Sequence, residues 1–108
     1  MTNPKTIRIL NDVLRSTFWA GKVMLTQGVA CLPPEEMASL LTAVRTFDAF
    51  TKGNDPHGEH DFGSVDQGGV RYFWKIDYYD TACEAGSPDP ADPAVTTRVL
   101  TIMRADEY

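Results

Sequence analysis

The chain has 108 residues, of which 43% are hydrophobic and 23% charged, a composition that excludes a disordered tail or a fibrous repeat and sets a single domain, residues 1–108, around one modest core. The formal net charge is -5. Residues 1–52 hold six Lys/Arg and four Asp/Glu (+2) and residues 53–108 hold four and eleven (-7), so the broad basic field of a nonspecific nucleic-acid binder is missing.

The first segment, MTNPKTIR, lacks the apolar stretch of a signal peptide. No run in the chain approaches the roughly 18–20 apolar residues of a membrane span, and a cytoplasmic protein is expected. Asn3 as N-cap and Pro4 at the first helical position predict a helix over 4–18. Its apolar stripe reads Ile7, Leu10, Val13, Leu14 and Phe18. Trp19 reads as an edge-of-core residue, and Gly21 marks the exit.

Lys22 to Gln27 predicts a strand closed by Gly28. A second helix begins at Pro34, because Pro33 is pushed from the helical region by the proline after it. Glu35 and Glu36 suit its first turn, and Met37, Leu40, Leu41 and Val44 form its buried face.

Gly53 to Gly58 is turn chemistry, with Asp55, Pro56 and Gly58 at the positions a type I turn favours. Asp61–Val65 predicts a short strand, Asp66–Gly69 a hairpin turn, and Val70–Tyr79 a long strand. By parity, Val70, Tyr72, Trp74, Ile76 and Tyr78 face the helices, while Arg71, Phe73, Lys75, Asp77 and Tyr79 face a more open side. Three prolines at 88, 90 and 93 stiffen a surface loop before a β-branched final strand, Val95–Met103. The economical arrangement is an α+β fold with two helices packed on one face of a mostly antiparallel four-stranded sheet.

Both histidines lie in His57-Gly58-Glu59-His60-Asp61. Imidazoles beside carboxylates suit metal binding or acid–base chemistry, so His57, Glu59, His60 and Asp61 are the catalytic candidates and His57, His60 and Asp61 the metal candidates. The spacing is not HExxH, and in an extended segment His60 and Asp61 diverge. Arg71 and Lys75, with Arg98 and Arg104 on the last strand, would form a cationic stripe interleaved with Phe73 and Tyr79 if both sets shared the open side. Met24, Met37 and Met103 read as core filler. Cys31 and Cys83 form no CxxC pair, and Cys83 has no cationic neighbour in sequence. No phosphate-binding glycine loop and no GxSxG is present.

Asn54-Asp55-Pro56-His57-Gly58-Glu59-His60-Asp61-Phe62-Gly63, Trp74-Lys75-Ile76-Asp77-Tyr78-Tyr79-Asp80 and the stretch from Ser87 to Thr101 are distinctive. With Asn11-Asp12 and Leu14-Arg15 they make the chain resemble a family of small bacterial proteins classed as a domain of unknown function. The resemblance supplies no activity, cofactor or catalytic residue. Members often occur among plasmid and mobile-element genes, which implies an accessory role in transfer or in evading host defence.

The expected function is therefore a non-enzymatic protein-binding module without a cofactor, in concrete form an anti-restriction or anti-CRISPR inhibitor of a partner with a basic surface. Its expected contacts are Asp55, His57, Arg71, Phe73, Lys75, Asp77, Tyr79, Asp89, Asp92 and Arg98. The first alternative is a small metal-assisted hydrolase or metal-binding protein using the 57–61 segment. The second is a single-stranded nucleic-acid binder using Arg71, Phe73, Lys75 and Arg98.

Overall fold

A computed structural model describes residues 4–108, and the expected N-cap, Asn3, lies outside them. In chain order the elements are α1 (Pro4–Thr17), β1 (Lys22–Leu25), α2 (Gln27–Ala30), α3 (Pro34–Arg45), β2 (Phe62–Gln67), β3 (Val70–Tyr79) and β4 (Thr97–Arg104). Single 3-10 turns lie at Pro93–Val95 and Ala105–Glu107. The sheet order is β1-β4-β3-β2. β2 and β3 pair antiparallel, as do β3 and β4, while β1 runs parallel to β4. The sheet is thus mostly antiparallel, as expected, with one parallel pair. The short α2, which adds a third helix to the two expected, has too few residues to show a helical period.

The β2–β3 hairpin closes through Gly68 and Gly69, whose φ values of 59° and 78° suit a two-residue turn that few other residues tolerate. β3 spans the predicted residues, and its predicted parity holds. Tyr72, Trp74 and Ile76 are 5%, 0% and 4% exposed and pack with Leu14, Val29, Leu40, Val44, Leu100 and Ile102. Fully burying each such side chain contributes about 1.5–3 kcal/mol.

Two expectations fail for one physical reason, that polar residues occupy core positions. The buried face of α1 is Ile7, Asn11, Leu14 and Arg15 rather than a purely apolar stripe, and Val13 is exposed. β4 registers Tyr78 opposite Arg98 and Tyr72 opposite Arg104, so both arginines lie on the helix side, away from Arg71 and Lys75. Arg98 is 4% exposed, and the cationic stripe does not form. Trp19 and Met24 also differ from expectation, since both are exposed.

No helix among the described residues is long and apolar enough to cross a membrane. The side of the sheet opposite the helices carries Phe62, Phe73, Lys75, Asp77, Tyr79, Val99, Thr101, Met103 and Met24 by register and alternation. The chain end leans on it. The Tyr108 ring meets Phe62 and Phe73 edge-on, with centroids 6.1 and 5.6 Å apart.

Candidate functional site

The residues with the most chemistry gather where the 51–61 loop crosses α1 and the ends of β3 and β4. Asn11 is wholly buried in α1. Its side-chain oxygen accepts from Arg98 Nε at 2.8 Å. Because a guanidinium only donates, this contact fixes the amide's orientation. Asn11 Nδ2 then donates to the Glu59 carbonyl at 3.0 Å and to the Tyr78 hydroxyl at 2.8 Å. Tyr78 in turn donates to Glu59 Oε1 at 2.8 Å. Burial, aided by the Glu59 carboxylate, raises the Tyr78 pKa well above that of a free phenol, so the hydroxyl keeps the proton this contact needs. Burial also pulls the Arg98 pKa down, against the charge of Glu59, yet the guanidinium stays charged. Arg98 lies over the Tyr78 ring and donates to the Pro90 carbonyl, which fastens the proline loop to the core.

A second arm centres on His60. Its ring stacks on Phe50 at 3.6 Å. Nδ1 faces Asp12 Oδ1 at 2.8 Å, and Nε2 faces Asp55 Oδ2 at 3.5 Å. The backbone N–H of His60 donates to the other Asp55 oxygen at 3.1 Å. These contacts hold His60 at φ 53°, a left-handed conformation that costs a non-glycine residue about 1–2 kcal/mol. Asp12 also accepts from Arg15. Arg15 donates to the carbonyls of Val44, Arg45 and Phe47, closing the end of α3, where helical carbonyls lack partners. Its guanidinium stacks against Phe50 and Trp74.

The 57–61 segment therefore splays. His60 turns to Asp12 and Asp55, Glu59 turns to Tyr78, and His57 stays exposed. The Asp61 carbonyl accepts from Ile76 N at 2.8 Å, one step beyond the β2–β3 ladder. Burial raises the Asp61 carboxyl pKa, and the charges of Glu59 and Asp55 add to the rise. No group of three His, Cys, Asp or Glu side chains among the described residues is placed to hold a metal ion. Both His60 nitrogens face carboxylates, so the cluster ties the loop to α1 as a hydrogen-bonded lock. A pocket of about 180 Å³ lined by Gly28, Leu32, Glu36, Val70, Tyr72 and Arg104 shares none of these residues. It falls below the roughly 300–1,000 Å³ of typical ligand sites.

The expected partner contacts divide. Phe73, Lys75, Asp77 and Tyr79 share the open side of the sheet, and Arg71 pairs with Asp66 at its end. Asp55 is directed inward to His60, and Arg98 is buried. Asp89 and Asp92 accept from the backbone N–H groups of Ala91 and Ala94, so they shape their own loop. Sequence reasoning missed Asn11, Asp12, Arg15 and Tyr78 as members of the cluster. The available signal was Asn11 and Arg15 falling at helical spacing on the same face as Ile7 and Leu14. It also missed that Lys22 Nζ comes within 4.0 Å of Cys83 Sγ, a cationic neighbour from a distant strand.

No curated protein and no solved structure matches the chain. A family model described as a protein of unknown function, DUF3768, matches residues 25–107. That span takes in α2 to β4 and the whole 51–61 loop, and on this match the chain belongs to the DUF3768 family of proteins of unknown function.

Proposed function

We propose that the protein is a non-enzymatic binding module that docks another protein surface on the open side of its sheet. One observation carries this reading: all three helices pack on the opposite side, and Met24 is exposed while Phe62, Phe73, Tyr79 and Val99 stay partly exposed, even where the Tyr108 ring rests on Phe62 and Phe73. A sheet face with this content is normally buried against another element. Two ion pairs lie there, Lys75 with Asp77 at 3.2 Å and Arg71 with Asp66 at 3.0 Å. The His60 cluster supports the reading from the other direction, because its polar groups serve the fold itself.

The experiment is site-specific photo-crosslinking in cells, with the probe at Tyr79 or at Ser39 on the exposed outer face of α3. Discrete protein adducts from position 79 and none from 39 are the expected result. Equal labelling at both positions, or none at 79, overturns the reading.

The inhibitor of a restriction or CRISPR effector is the concrete form that the resemblance and the acidic second half suggest. Its test is protection of incoming DNA: expression of the protein should raise transformation by a restricted plasmid. Unchanged transformation across a panel of effectors removes it.

A further inference from the structure

We propose that the occupant of the open sheet side is a second copy of this chain, stacked face to face about a two-fold axis. The inference rests on the docking reading above and names its partner. The argument comes from the order of side chains along β3, where Phe73, Lys75, Asp77 and Tyr79 point to the open side in turn. A two-fold axis lying between two facing sheets and crossing β3 at Ile76 runs the partner strand antiparallel. Lys75 of each copy then meets Asp77 of the other, and Phe73 meets Tyr79. On β4, Val99 meets Thr101, because these residues register with Asp77 and Lys75.

This row complements itself: opposite charges meet twice at the centre, with an aromatic pair at each end. The alternative axis, along β3, sets Lys75 against Lys75 and Asp77 against Asp77, and like charges oppose it. Lys75 and Asp77 are 39% and 37% exposed and already 3.2 Å apart within one copy, so dimerisation exchanges one partner for another without burying a lone charge. The near-neutral centre also gives no reason to select a strongly basic or strongly acidic partner. Aligned sheets packed face to face, with the same patch contributed by each copy, are a familiar closed arrangement.

The test is the mass of the purified protein by sedimentation velocity across a concentration series, for wild type, Asp77→Lys, and the exchanged pair Lys75→Asp with Asp77→Lys. Circular dichroism confirms that each variant is folded. Wild type should reach dimer mass, Asp77→Lys should weaken association about tenfold or more, and the exchanged pair should restore it. Wild type that stays monomeric up to millimolar concentration, or a dimer indifferent to Asp77→Lys, overturns the proposal. The crosslinking experiment separates the two levels. Adducts at Tyr79 that contain only a different protein reject the second copy and leave the docking reading standing, whereas no adduct at all rejects both.

Discussion

Asn11 and Arg98 meet at 2.8 Å inside the protein although 87 residues separate them in the chain. One amide thereby ties α1 to β4, to the Tyr78 hydroxyl at the end of β3 and to the backbone of Glu59. Asn11→Ala leaves a buried guanidinium and a buried phenol each short of a partner. It is expected to cost about 3 kcal/mol, read as a lower urea midpoint at unchanged slope. A loss below about 1 kcal/mol would show that water replaces the amide without penalty.

Gly63 lies against the Trp74 indole across the β2–β3 pair. A Cβ there would overlap the Trp74 indole at Nε1, and Trp74 is wholly buried. Gly63→Ala should destabilise by about 3 kcal/mol and shift the tryptophan emission. Gly53→Ala, where the nearest atom is an ordinary 3.7 Å away, should be nearly neutral. Equal effects at the two sites would contradict the packing described.

Two carboxylates predict opposite pH behaviour. The Asp61 pKa is raised by burial, so its stabilising contribution is present at acid pH and lost as pH rises through its folded value. Asp61→Asn should therefore be more stable than wild type at neutral pH, with the gain vanishing in acid. The Glu107 pKa is lowered because its carboxylate accepts from the Thr26 hydroxyl and from the N–H groups of Gly28 and Arg104. Its contribution is present above the ordinary glutamate range and lost as pH falls. Glu107→Gln should be less stable than wild type at neutral pH and match it in acid. Thermal melts over a pH series check both signs.

His60→Ala removes the stack on Phe50 and both carboxylate contacts while leaving a left-handed backbone behind. Hydrogen exchange in residues 51–61 should quicken, with the β3 and β4 amides unchanged, and global stability should fall by about 1–2 kcal/mol. Zinc or manganese added to wild type should leave the melting midpoint in place. A rise that depends on His60 would instead mark a metal site.

Periodicity made β3 and its two faces legible because its residues alternate without exception from Tyr72 to Asp77. The glycine pair at 68–69 likewise announced the hairpin. The cluster was harder to see because its logic is not local. A lone Arg98 in a β-branched strand looks solvent-exposed until Asn11 is brought to it by the fold. In the same way, counting only apolar residues placed Val13 inside α1 and left Asn11 out. Four-residue α2 was invisible to any helical period, and the parallel β1–β4 pair depends on chain reversal through α3 and the hairpin, which no single segment encodes.

The most direct test of the claim that the open side of the sheet pairs with a second copy of this chain is hydroxyl-radical footprinting of the protein at dilute and high concentration. Met24, Phe73 and Tyr79 should lose reactivity at high concentration, while Trp19, exposed in the link between α1 and β1, should keep it. Unchanged labelling of Met24, Phe73 and Tyr79, or protection centred on Trp19, would contradict the account.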